Sequence, residues 1–96
     1  MKNISIILLT AYCSFVMFSC KESPEAAKQK SIDLMTTQTL GLAYLEEFKL
    51  DEAEKEFLKY MKMSPKEKIG YANLGLTYLR MGKYPEAEKK LLKAMA

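Results

Sequence analysis

Residues 34–62 return, one period later, as residues 68–96. Sliding the first stretch over the second, a shift of 34 positions, leaves 13 identities in 29, where typical composition gives about two by chance. The matched skeleton is Leu40-Gly41-Leu42-x-Tyr44-Leu45 against Leu74-Gly75-Leu76-x-Tyr78-Leu79. It continues as Lys49, Glu52-Ala53-Glu54-Lys55, Leu58-Lys59 and Met61 against Lys83, Glu86-Ala87-Glu88-Lys89, Leu92-Lys93 and Met95. A repeat of this length marks a stacked array. One unit cannot bury its apolar face alone and covers it with its neighbour. The 96 residues allow one small domain of this kind.

Spacing within the unit predicts helices. Leu74, Tyr78 and Met81 recur at helical intervals, and Ala87, Leu91 and Met95 do the same on the next segment. Gly75 and Ala87 are small where two antiparallel helices must approach closely. Gly82 stands where a helix must stop, because glycine takes the left-handed cap conformation without steric cost. Pro85 suits the first turn of the following helix, where its missing N–H is not needed. Ser64-Pro65-Lys66-Glu67 reads as a capping box with proline at the first helical position. These signals place helices over 34–47, 51–63, 65–81 and 85–96. Ser23-Pro24-Glu25 starts a further helix over 24–33. That helix either runs into the next or is interrupted at Thr36-Thr37-Gln38-Thr39, since β-branched residues weaken helices slightly.

A 34-residue period with this content resembles the tetratricopeptide repeat. The family pattern asks for an aromatic residue, then Leu-Gly, Tyr, Ala, an aromatic or Leu, Ala and Pro. The second unit supplies Tyr71, Leu74-Gly75, Tyr78, Gly82, Tyr84, Ala87, Leu91 and Ala94. The first supplies Leu40-Gly41, Tyr44, Ala53, Phe57 and Pro65. It departs at Thr37 for the opening aromatic, Phe48 for the turn glycine and Tyr60 for the small third-contact residue. The fold class implied is all-α, a solenoid of antiparallel helix hairpins in two units, 34–67 and 68–96. The second unit stops before its closing proline. Two units are few, since three or more are usually needed. Segment 24–37 covers one end, the chain pairs with a partner or itself, or it is a truncated piece of a longer array.

The resemblance also implies a binding surface. In such proteins the first helix of each unit lines a concave face that holds a peptide or partner helix. The equivalent positions are Met35, Gln38, Leu42, Leu45 and Glu46 in the first unit. In the second they are Ile69, Ala72, Leu76, Leu79 and Arg80. That surface is apolar with two opposite charges at its rim, and it suits an apolar protein segment laid in a groove. The competing reading is that these residues pack on segment 24–33. Some family members clamp a partner's C-terminal carboxylate with Lys and Asn. Gln38 and Leu42 occupy matching positions and only Asn73 is of a suitable type, which argues against chaperone-tail recognition.

The N-terminus is of another kind. Ile4 to Ser19 carries no charge, and 12 of its 16 residues are apolar or aromatic; Lys2 precedes it and Lys21 follows. That is the anatomy of a secretory signal, and it is short of the about 20 residues a spanning helix needs. Ser19-Cys20 ends the run, followed by Lys21-Glu22-Ser23-Pro24. This resembles the lipobox of bacterial lipoproteins, in which the Cys is acylated and becomes the new N-terminus. Met17 stands where Leu is usual. An ordinary cleaved signal and an uncleaved anchor are the alternatives. Cleavage before Cys20 would remove residues 1–19, leave 20–33 as a partly helical tether and take Cys13 away with the leader. The expected location is the bacterial cell envelope, lipid-anchored. Lys21 after the Cys, in place of the Asp that retains some lipoproteins at the inner membrane, favours the outer one.

Composition narrows the chemistry. The chain has no His, which removes the commonest general base and the usual zinc ligand. Glu46-Glu47 and Asp51-Glu52 flank a turn and promise too few convergent oxygens for a metal. Neither catalysis nor a cofactor is expected. A net charge of +3 is too mild to argue for nucleic acid. Lys55, Lys59 and Lys62 share a helix face, as do Lys89 and Lys93, and read as a solvated exterior or, secondarily, a contact for anionic lipid headgroups.

Overall fold

A computed structural model describes residues 23–96, and these form four helices. They are α1 (Pro24–Glu46), α2 (Leu50–Met63), α3 (Lys68–Met81) and α4 (Tyr84–Met95), with no strand among the described residues. Connections of a few residues force each helix back along its predecessor. Each packs chiefly on the next in sequence, and α1 also touches α3. The result is two stacked helical hairpins, an all-α repeat.

The first helix decides between the two sequence readings in favour of the continuous one. No helix starts at residue 34; α1 runs unbroken from Pro24. Ser23 caps it, its hydroxyl oxygen accepting the Ala26 N–H at 3.1 Å. The threonine run does not interrupt it; the hydroxyls of Thr36 and Thr37 bond back to carbonyls of the preceding turn, which costs a helix only slightly. Thr36 donates to the Ile32 carbonyl at 2.8 Å, and Thr37 to those of Asp33 and Leu34 at 2.9 and 3.0 Å. Continuity also decides what residues 24–33 do. They are exposed throughout, since a helix that continues along its axis cannot fold back over an end of the stack or over the α1 face.

The expected capping box is a correction. Ser64 ends α2, its N–H donating to the Tyr60 carbonyl at 2.9 Å, and α3 begins only at Lys68, without a side-chain cap. The four residues are spent reversing the chain. The Glu67 N–H returns to the Ser64 carbonyl at 3.2 Å, and the Tyr71 hydroxyl holds the Pro65 carbonyl at 2.8 Å.

The core lies at the junction of the hairpins, where Leu45, Ala53, Phe57 and Leu74 meet; Tyr44, Leu50, Met61, Leu76 and Tyr78 pack around them. Gly41 and Gly75 permit the close crossings within each hairpin. A Cβ on Gly41 would stand 2.5 Å from the Phe57 ring, and one on Gly75 2.7 Å from Leu91 Cγ. Ala87 is likewise buried.

Gly82 takes φ 78° and stops α3 as expected. Its counterpart Phe48, where the family has glycine, takes φ 60° all the same. The bend between two helices of one hairpin dictates that conformation whatever residue is present. A left-handed residue with a Cβ is disfavoured by about 1–2 kcal/mol, and the Arg80 guanidinium lies 5.9 Å from the Phe48 ring centroid, a favourable contact. Nothing lies within 4 Å of a Cβ placed on Gly82, so Gly82→Ala isolates the backbone cost. We expect a loss of about 1–2 kcal/mol, read as a lower urea midpoint with unchanged slope.

Candidate functional site

The ten groove positions separate by burial. Met35, Leu42, Glu46, Ile69, Leu79 and Arg80 are exposed, while Gln38, Ala72 and Leu76 are half-buried. Leu45 is a correction: it is 3% exposed and belongs to the core. Its repeat mate Leu79 is 45% exposed. The two occupy one register, but α3 of the second hairpin covers Leu45, and no described helix covers Leu79. Leu76 also packs against the core, so its role is shared between folding and surface.

Arg80, expected at the groove rim, ties the hairpins together. Its Nη1 donates to the Leu45 carbonyl at 3.1 Å. That oxygen lies in the last turn of α1, where a cation is favoured, and it also accepts the Phe48 N–H at 3.2 Å. Arg80 thus bonds the end of one hairpin from the end of the next.

What remains open on the first helices is an apolar strip. Met35 and Leu42 stand seven residues apart on α1, two turns along one face, and Ile69 precedes the half-buried Ala72 and Leu76 on α3 at the same kind of spacing. Asn73 is buried and so does not line this strip. A second surface escaped the sequence reading. Leu40, matched to the core residue Leu74, is 39% exposed against 0%. With Met35, Thr36, Thr39 and Ala43 it lines a shallow apolar hollow on α1. The signal was available: no described hairpin precedes the first unit to cover that position.

The outer helices carry the charge. Lys55, Lys59, Lys62, Lys89 and Lys93 are all exposed. Lys93 Nζ lies 4.7 Å from the Tyr71 ring centroid, fastening α4 to α3 by cation–π attraction. Among the described residues Tyr78 is the most perturbed titratable group. Burial, then its hydrogen bond to Glu54, then the negative charge of Glu54 and Glu86 push it up to about 12. Because the folded value lies above the ordinary 10.0, this group's contribution to stability is complete below pH 10 and is lost as pH rises toward 12. Tyrosinate absorbance should therefore rise late for Tyr78, together with loss of helicity. In Tyr78→Phe the component titrating last should be missing.

Two family models described as tetratricopeptide repeat match the chain, one at residues 38–67 and the other at 56–89. Together they span more than half of it. The chain belongs to the tetratricopeptide repeat family. No curated protein and no solved structure matches it. One match follows α1 into α2; the other starts inside α2 and ends in α4, so it straddles the hairpin junction where the core sits. Tetratricopeptide repeats are typically non-catalytic modules that bind other proteins. Among the described residues no group of His, Cys, Asp and Glu converges to hold a metal, and no helix is long and apolar enough to cross a membrane. Cys20, Cys13 and the leader 1–19 lie outside the described residues.

Proposed function

We propose that this tetratricopeptide protein is a membrane-tethered interaction module of the bacterial cell envelope, an adaptor or scaffold held by acylation of Cys20. The observation that carries the interaction reading is the uncovered apolar strip on α1 and α3, with Met35, Leu42 and Ile69 exposed. Large apolar side chains left together on a surface mark places where another chain docks. An apolar helix or extended segment of a partner fits the strip, and Glu46 and Arg80 at its edge suit polar contacts of either sign. The tether rests on the sequence of residues 1–23. Each buried CH₂ contributes about 0.8 kcal/mol, so several acyl chains hold a protein on the bilayer nearly permanently. The ten helical residues 24–33 then act as a spacer, about 15 Å at 1.5 Å per residue, between the lipid and the hairpins. Outer-membrane residence is the preferred location, on Lys21.

A second reading is a structural segment of a longer repeat array without a separate activity. The exposure of Leu79, where Leu45 is covered, favours it.

The test has two arms. The intact mass of the membrane-extracted protein should lack residues 1–19 and carry acyl mass, and Cys20→Ala should abolish both changes and release the protein from membranes. A Leu42→Ser, Ile69→Ser double variant, altered only at exposed positions, should keep its helicity and lose most crosslinked partner. Equal partner recovery at equal helicity rejects the strip, and unchanged mass and partition in Cys20→Ala reject the tether.

A further inference from the structure

We propose that the two ends of the hairpin stack are complementary, so that a second copy of this chain docks head to tail, its α1 on the α3–α4 end of the first. The template is the junction already inside the molecule. There Leu74 of α3 is fully buried against Leu45, Ala53 and Phe57. Gly70 fits so tightly that an added Cβ would stand 3.0 Å from both Met61 and Tyr60.

Shifting that junction by one repeat produces both open ends. Thirty-four residues earlier, Leu74 becomes Leu40 and Gly70 becomes Thr36, and these two line the open hollow on α1. Thirty-four residues later, Leu45 becomes Leu79 and Met61 becomes Met95, 45% and 80% exposed. One end is therefore a copy of the surface that inserts, and the other a copy of the surface that receives.

The shift also changes sizes and charges at the contact. Thr36 is larger than Gly70, and of the two residues that crowd Gly70 the register mate of Tyr60 is Ala94, smaller by a whole ring, while that of Met61 is again a methionine, Met95, whose flexible side chain must give way. In the register of Arg80 stands Glu46, exposed beside Glu47, so the hydrogen bond of Arg80 to the Leu45 carbonyl has no counterpart in this contact and the charge is reversed. The end it would meet carries Arg80 and Lys83, both exposed. Opposite charges at such a contact steer encounter and fix register. Residues 24–33 continue along the α1 axis, exposed, and leave the hollow open. Because inserting and receiving surfaces differ, the contact is heterologous, and its repetition builds an open linear array. Met35 borders both surfaces, but Leu42 and Ile69 of the partner strip are not used and the variants that test the two proposals do not overlap, so the two stand or fall separately.

Sedimentation of the full-length chain in detergent micelles tests this, with Leu40→Glu blocking the inserting end and Leu79→Glu the receiving end. Both are surface positions, and circular dichroism should match the parent. Met95→Glu blocks the receiving end independently of Leu79. The parent's mass should rise with concentration through two, three and more protomers, while each variant sediments as one. An equimolar mixture of Leu40→Glu and Leu79→Glu should form two-protomer complexes and nothing larger, since each supplies one intact end. A parent that stays single at its highest soluble concentration overturns the proposal. So does association that survives in either variant, or a mixture that stays single.

Discussion

Gly75→Leu is expected to detach α4 from α3 and leave the second hairpin unfolded. Even a Cβ at this position would stand 2.7 Å from Cγ and Cδ2 of Leu91 and 3.3 Å from the Leu91 backbone nitrogen. The side-chain atoms can swing aside; the backbone nitrogen cannot move without moving the helix. Ordinary overpacking costs about 1–3 kcal/mol, and a branched side chain against backbone exceeds that range. A small domain has about 0.05–0.15 kcal/mol of stability per residue, so one such loss removes a large share of it. The consequence spreads, because Leu74, the neighbour of Gly75, is part of the core between hairpins. Thermal melts followed by circular dichroism should show a large drop in midpoint and in starting helicity. Coincident melts of variant and parent would show that α3 and α4 do not cross at Gly75.

Phe57→Ala is expected to be nearly as damaging, through the opposite fault. Phe57 is fully buried, lies against Gly41 across the α1–α2 crossing and meets Leu74 of the second hairpin in the core. Truncating a buried Phe to Ala costs about 3–5 kcal/mol, the transfer term plus the cavity left behind. Here the cavity opens where three helices converge, so both hairpins should lose order together. Phe57→Leu should cost clearly less, since Leu91 fills the same register in the second unit. Urea titrations of the three proteins should rank parent, Leu variant and Ala variant in that order. An Ala variant as stable as the Leu variant would mean that the ring does not fill the junction.

Much of the fold was legible because it rests on local rules. Gly82 predicted its left-handed stop, Ser23-Pro24 its helix start and Gly75 its close crossing, each from the conformational demands of a few neighbouring residues. The capping box at Ser64 was misread although its residue types are right. A capping serine needs a free chain before it, and this one was already committed to ending α2. The threonine run was misread as a possible break because β-branching is visible in a sequence, whereas the carbonyls that accept Thr36 and Thr37 depend on the helix being there.

The candidate surface was legible only in part, and the repeat itself shows why. Leu45 and Leu79 are the same residue in the same register, as are Leu40 and Leu74, yet one of each pair is buried and the other open. Local sequence determined that all four lie on the inner helices of a hairpin, and by the 34-residue period it determined how one hairpin follows another. Which of them face solvent was decided by stacking alone. Burial belongs to a contact between units, and each unit has a neighbour on only one side among the described residues. Phe48 divides in the same way: its left-handed backbone follows from the bend inside its own hairpin, whereas the Arg80 guanidinium comes to lie beside its ring only once α3 is docked against α1.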